Sequence, residues 1–295
     1  MEDIERLQTR LANIRSARPI LNALRTISLG RWQTALRHQR LVDGYRGELH
    51  RLLLSLRPLI AAPSAYPPGP ALAGVLLIAV GTERGLCGRF SIDVLDHALV
   101  MHADYVAGGI DTRLIGLGAQ IGRAAKRRKV DIEVQRLAAS RLPTAEDAIE
   151  IVRPVLEDYE AGAFDAAFMV YGKATGSGGL QRTMQQIVPV PLDLHSSEMQ
   201  DMADLPIVET SPYALYTQVL QQLAALTVHN VLLESAAAEY LTRFQLMDSA
   251  TRNAERLTDE LSMAMQDVTR QAITREVQTL AVSAGLVGGQ TARKG

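Results

Sequence analysis

From Ser211-Pro212 to about Ala284 the sequence keeps a four-three spacing that no proline interrupts. Val219, Leu223, Leu226, Asn230, Leu233, Ala237, Tyr240, Phe244, Met247, Thr251, Ala254, Thr258, Leu261, Met265, Val268 and Ala272 follow that step. All but Asn230, Tyr240, Thr251 and Thr258 are apolar, so the spacing draws one stripe along a helix. Ser followed by Pro is a good helix start, because the missing N–H falls where no intrahelical acceptor exists. A helix of that extent is on the order of 110 Å long at 1.5 Å per residue. A domain of about 120 residues has a radius of gyration of roughly 14 Å and cannot contain it. The stripe therefore needs a partner.

The N-terminal segment, residues 3–59, supplies one. Ile4, Leu7, Leu11, Ile14 and Leu21 fall on one stripe, and Tyr45, Leu49, Leu52, Leu56 and Leu59 repeat at four-three spacing. Pro19 predicts a kink or local break, since it lacks the donor and crowds the preceding turn; Gly30, Gly44 and Gly47 weaken the helix further. Residues 1–57 hold eleven Arg, no Lys and five acidic residues, whereas 234–276 holds eight acidic residues and five Arg. Opposite charge favours pairing of the two ends. Small residues on the long stripe permit close approach, and Asn230 is a candidate for fixing register.

Composition agrees with a helical rod. Aromatics are only 4%, and three of the four Phe lie within residues 90–168. A net charge of −1 argues against a nucleic-acid binder. The single cysteine, Cys87, excludes an internal disulfide and a Cys-rich metal site. Met1-Glu2-Asp3 opens no basic-then-apolar signal, so no targeting peptide is expected. The uncharged stretches 58–82 and 210–233 are broken by prolines or by Gln, His and Asn, and neither reads as a membrane span.

Between the terminal helices the pattern changes. AAPSAYPPGP at 61–70 reads as a semi-rigid linker. Strands are expected at Ala73–Val80, Arg113–Leu117, Val130–Arg136, Phe164–Tyr171 and Gln185–Val190. Helices are expected at Leu95–Val106, Ala119–Arg128 and 145–161, the last capped by Thr144 with Asp147 and kinked at Pro154. Alternating strands and helices define an open α/β layer. The expected boundaries are 1–60 for an N-terminal shaft helix, 71–193 for the α/β head and 211–286 for a C-terminal shaft helix.

Catalytic chemistry is not supported by spacing. The turn Gly81 to Gly88 follows a buried strand but lacks both the Gly-x-Gly opening and a Gly-Lys-Ser/Thr, so its glycines read as freedom for a tight turn. Cys87 reads as a buried small hydrophobe, although Arg84 nearby could lower its pKa. The six histidines show no metal-ligand pairing. Arg123, Lys126, Arg127, Arg128 and Lys129 read as a solvated helix end with favourably placed cations. Gly172 to Gly179 reads as a hairpin tip. No catalytic, cofactor-binding or metal residue is assigned.

Thr82-Glu83-Arg84-Gly85-Leu86-Cys87-Gly88 resembles the segment after the first strand of the gamma subunit of F-type ATP synthases. Leu232-Leu233-Glu234-Ser235, Glu239, Arg243, Met247-Asp248, Ala250-Thr251, Asn253-Ala254, Leu257, Leu261, Ile273-Thr274 and Glu276 are similar to that family's last helix in order and spacing. Val170 to Lys173 and Gln185 to Leu192 fit more loosely. The resemblance implies an α/β fold class: a long antiparallel coiled coil of the terminal helices plus a Rossmann-like α/β head without a nucleotide site.

The same resemblance implies a central-stalk rotor that couples ion flow through the membrane ring to ATP synthesis or hydrolysis at the catalytic subunits. Its implied partners are an alpha/beta hexamer, an epsilon-type subunit and the membrane c-ring, with no nucleic acid, no cofactor and no transmembrane segment. Its implied place is the cytoplasmic face of a bacterial-type cell membrane, as a peripheral subunit. Carried over by position, Leu24, Arg243, Arg270, Gln271, Thr274 and Glu276 are candidate contacts to catalytic subunits, and Arg84, Gly85, Leu86, Cys87 and Gly88 form the signature turn. Two departures are visible. Ile20 to Arg31 reads ILNALRTISLGR with an altered basic cluster, and the Arg-Gln-Ala-x-Ile-Thr motif is one residue shorter, at Arg270 to Thr274. The first departure motivates an alternative, a gamma-like paralogue serving as an assembly factor or in a variant ion-pumping ATPase.

Overall fold

A computed structural model describes residues 2–60, 72–137, 141–176, 178–191 and 208–283. The linker expected at 61–70 and the helix end expected at 284–286 lie outside the described residues. The elements in chain order are α1 (Glu2–Leu56) with a 3₁₀ turn (Arg57–Leu59), β1 (Gly74–Val80), α2 (Phe90–Ala107), β2 (Asp111–Leu117), α3 (Ala119–Arg128), β3 (Glu133–Gln135), α4 (Ala145–Glu160), β4 (Ala166–Ala174), β5 (Leu180–Val188) and α5 (Pro212–Ser283). The chain forms two units, Met1–Thr26 with Gln245–Gly295, and Ile27–Phe244, so α1 and α5 each contribute to both.

In the first unit, α1 and α5 pair in antiparallel register. Arg18 Nη2 lies 2.6 Å from Glu255 Oε1, and Arg25 Nε lies 2.8 Å from Asp248 Oδ1. Leu11 on one helix and Met247, Thr251, Ala254 and Leu261 on the other are buried, as the two stripes predict. The ion pairs are substantially exposed and each contributes only about 0–1 kcal/mol; burial of the seam supplies the rest. Pro19 does not break α1, which continues through it. Pro19 is exposed, so its ring meets solvent, and the loss is one backbone hydrogen bond in a helix held by its partner.

The second unit is built on a five-stranded sheet of order β3-β2-β1-β4-β5. β1 pairs in parallel with β2 and β4, β2 with β3 in parallel, and β4 with β5 antiparallel. β1 is apolar throughout because both of its faces are covered. Leu76, Ile78 and Val80 pack with α4 and with Ala224, Val228, Val231 and Leu232 of α5. Ala79 packs on the opposite face with Phe90, Val94 and Leu95 of α2 and Ile121 of α3. The first α4 turn carries the expected capping box between Thr144 and Asp147. Helix α2 starts at Phe90, five residues before the expected Leu95, and β5 starts at Leu180, before the expected Gln185, because the first residues of the expected Gly172 to Gly179 hairpin tip belong to β4, where Gly172, Lys173 and Ala174 pair with Arg182, Gln181 and Leu180.

Gly81 and Gly118 set the ends of β1 and β2. A Cβ on Gly81 would lie 2.4 Å from Ile121 Cγ1, and Gly118 has φ +91°, so no side chain is tolerated at either strand end without displacement or strain.

At the far end of this unit Leu49, Leu53 and Leu56 of α1 pack on Tyr216, Val219, Leu220 and Leu223 of α5. Tyr45, expected on the same stripe, is 53% exposed. The inward face of α1 at that level carries Asp43, Arg46, Gly47 and His50, which border a cavity, and Tyr45 falls outside it. Leu53 is 1% exposed, and Leu53→Ala is expected to destabilise the full chain by about 2–5 kcal/mol in urea unfolding. Leu41→Ala, at a position 73% exposed, is expected to change stability by no more than about 0.5 kcal/mol.

Candidate functional site

The signature turn joins β1 to α2 and is held largely by hydrogen bonds from its own and flanking residues. Thr82 N–H donates to Ser91 Oγ at 3.0 Å, and its hydroxyl donates to Arg84 O at 2.8 Å, which closes the loop on itself. Glu83 accepts from Ala119 N–H at 2.9 Å and Leu137 N–H at 3.3 Å, and it pairs with Arg136. Its carboxylate thus sits on the first turn of α3, where the helix dipole favours negative charge. Leu86 has φ +66°, a left-handed conformation that is an outlier for a bulky residue, and its side chain is 60% exposed. Gly88 has φ +56°.

Arg243 fastens this turn to α5. Its Nη2 donates to Cys87 Sγ at 2.9 Å and to Gly85 O at 3.4 Å, and it pairs with Glu239 one helical turn back. The Arg243 guanidinium stands 5.4 Å from the centre of the Tyr240 ring, and that of Arg31 on α1 5.6 Å from it. Arg31 Nη1 also donates to Tyr240 Oη at 3.0 Å. Arg243 is only 7% exposed, so its charge is compensated inside the fold. Burial raises the Glu239 carboxyl above its ordinary value, and Arg243 opposes that rise. Burial, with Glu239 nearby, pushes the Cys87 thiol up to about 12. Cys87 is accordingly a neutral thiol at pH 7, not an activated nucleophile.

A second buried node lies about two and a half turns back along α5 from Arg243. Glu234, 6% exposed, accepts from Tyr171 Oη, from Lys173 Nζ at 2.8 Å and from Gln39 Nε2 at 2.9 Å. One carboxylate thereby ties α1, β4 and α5. Tyr171 is raised by burial and by Glu234, which keeps the phenol a donor.

In doubly wound sheets ligands bind beyond the carboxyl ends of the strands. Here α5 crosses that edge: Leu232, Ser235, Ala236, Glu239 and Tyr240 face Val80, Gly81, Glu83 and Arg84. The space left between them is about 50 Å³, far below the roughly 300 Å³ at which small-molecule sites begin. That space is too small for a nucleotide.

The candidate contact residues therefore separate. Arg243 is an internal anchor of the second unit. Leu24, half-buried, belongs to the first unit, as do Arg270, Gln271, Thr274 and Glu276, which are exposed. Thr274 Oγ1 donates to Arg270 O at 2.8 Å along the helix. Ile273, Val277 and Leu280, 56%, 58% and 61% exposed, recur at helical spacing beside Arg270 and Thr274. Sequence reading singled out the polar members of this face. The apolar members lie off the four-three step that ends at Ala272, so that step does not mark them.

Comparison with solved structures assigns the fold to rotary ATP synthase central stalks. A chain of the Euglena gracilis mitochondrial ATP synthase OSCP/F1/c-ring assembly in rotational state 3 matches with a TM-score of 0.64 at 15% identity, over 99% of this chain and 98% of that one. A chain of the Tetrahymena thermophila mitochondrial ATP synthase central stalk/c-ring matches with a TM-score of 0.55 at 15% identity, over 78% of this chain and 99% of that one. The family model described as ATP synthase matches residues 3–284, and the chain belongs to that family. The ATP synthase gamma chain of Ruegeria pomeroyi is 26% identical over 94% of this chain and 97% of its own length. That of Magnetococcus marinus is 25% identical over 94% and 96%. Among the described residues no helix is long and apolar enough to cross a membrane.

Proposed function

We propose that this chain is the gamma-type central-stalk rotor of an F-type ATP synthase, turning with a membrane c-ring inside a hexamer of catalytic and non-catalytic subunits. The observation that carries the reading is the family match across residues 3–284. The physical features fit the task. A seam of small and apolar residues makes the α1–α5 pair thin, and the last turns of α5 carry the exposed Arg270, Ile273, Thr274 and Val277 face, suited to sliding contact with surrounding subunits. Nucleotide is handled by those partners. An epsilon-type subunit bound to the stalk, and a place at the cytoplasmic face of a bacterial-type membrane, complete the proposal.

The test is affinity purification of the tagged full chain followed by an ATPase assay. The expected outcome is co-purification with a large assembly that hydrolyses ATP. Isolation of the chain with no ATP-hydrolysing partner would sink the reading.

A further inference from the structure

Every exposed residue of α3 and of its cap is a cation. Arg123, Lys126, Arg127, Arg128 and Lys129 are exposed, and the other residues from Ala119 to Ala125 are buried or half-buried. The helix is fixed with this face outward. Ile121, Ala124 and Ala125 pack with Val94, Leu95 and Ala98 of α2, and Lys129, left-handed at φ +58°, ends the helix by donating its N–H to Ala125 O and Lys126 O.

Little of this charge is met inside the protein. Arg128 pairs with Asp96 of α2 at 2.5 Å, whereas Arg123, Lys126, Arg127 and Lys129 take part in no ion pair among the described residues. Asp93 of α2 is already engaged by Arg89 and Arg182, and Asp131 is the single acid in residues 119–132. The helix dipole favours a cation or two in the last turn. Here Arg123, a turn earlier, adds to three in that turn and another at the cap. The four unpaired cations span about 9 Å of helix axis, within roughly one Debye length, so they act outward as one block of charge.

What the face lacks sets the kind of partner. A specific protein interface is anchored by aromatic or aliphatic side chains that fill pockets, and α3 exposes none. A surface of dispersed, laterally mobile anions needs no anchor, and clustered Lys and Arg bind anionic lipid in that way. We propose that the α3 ridge is a docking surface for anionic lipid headgroups, held by Coulomb attraction without insertion into the bilayer. The proposal rests on the rotor reading, which puts the chain at a membrane. A contact without directional bonds lets the chain turn over the lipid.

The test is co-sedimentation of the full chain with vesicles of phosphatidylcholine alone or mixed equally with phosphatidylglycerol. Binding is expected to the mixed vesicles only and to fall as salt rises. Each cation near such a surface is worth about fivefold, so Arg123→Gln, Lys126→Gln, Arg127→Gln and Lys129→Gln combined should weaken binding roughly a hundredfold or more. Arg123→Lys with Arg127→Lys keeps the charge and should bind like the parent. Arg6→Gln, Arg10→Gln and Arg15→Gln combined, on exposed positions of α1, should also leave binding in place. Thermal melting verifies folding; if the fourfold variant does not fold, Lys126→Gln with Arg127→Gln replaces it, at about 25-fold weaker binding. No preference for the anionic vesicles, undiminished binding by the folded α3 variant, or an equal loss in the α1 variant overturns the proposal. So does binding of polyglutamate without binding of vesicles, which would assign the ridge to an acidic polypeptide. Failure here beside intact co-purification with an ATPase strikes this inference and leaves the rotor reading standing.

Discussion

Ala254→Pro is expected to abolish ATP synthesis driven by an imposed ion gradient in membranes carrying the variant. Ala254 is 8% exposed on the α5 stripe. A proline there removes a backbone donor and drives its ring into the preceding carbonyl, at about 3 kcal/mol or more. Pro19 shows why position matters: it lies in α1 yet is exposed, and the helix runs through it unbroken. At 254 the ring has the partner helix beside it instead of water. Asn253→Ala, at the exposed neighbour, is the control and should leave synthesis unchanged. Normal coupled synthesis by Ala254→Pro would remove the α1–α5 pair from the mechanism.

The second large effect is expected at Arg243. Arg243→Ala leaves the Glu239 carboxylate enclosed without its cation and frees the turn at Gly85 and Cys87, a loss of about 3–5 kcal/mol by analogy with broken buried pairs. Arg243→Ala combined with Glu239→Gln should recover a large part of it, because the uncompensated charge is gone. The pH dependence carries a sign. Glu239 has a folded pKa above its ordinary 4.5 because of burial. The folded state therefore holds the proton more tightly than the unfolded state, and stability falls as pH rises above that ordinary value toward the folded one. Without Arg243 the carboxyl rises further, so the penalty of Arg243→Ala should be smaller near pH 5 than at pH 8 in chemical unfolding. A penalty independent of pH, and undiminished in the double variant, would show that lost packing on Tyr240 dominates.

Much of the fold can be read from local pattern. Ser211-Pro212 and the unbroken four-three step mark α5 from Pro212, and AGVLLIAV marks β1 as covered on both faces. The role of Arg243 is harder to read, for a physical reason. It lies off the α5 stripe, and on a helix with one packed side it would point to solvent or to a partner subunit. But every residue from Val231 to Ala238 is buried, since α5 meets the sheet on one side and α1 on another. The signal was present: VLLESAAA has small and apolar residues all round, the mark of an enclosed helix. The same enclosure explains Glu234, whose three donors come from segments far apart in sequence. Spacing along the chain cannot announce them, although Tyr171 and Lys173 stand in the stretch that loosely resembles the family. At the other end of α5 the four-three step meets Arg275 and Thr279 after Ala272, and the apolar Ile273, Val277 and Leu280 lie off it, on turns the structure leaves exposed.

The crossing of α5 over the strand ends has a mechanical consequence. A bare helix clamped only along an apolar stripe can roll about its own axis, since dispersion contacts lack direction. In this unit α5 carries projections that engage slots: Glu234 is gripped by Tyr171 and Lys173 from the sheet, and Arg243 by the backbone of the turn. It is keyed to its hub like an axle with two splines, about two and a half turns apart. Twist applied to this part of α5 is passed to the β-sheet as a rigid couple before the helix can slip, and the edge that other α/β proteins open to ligands serves here as the keyway.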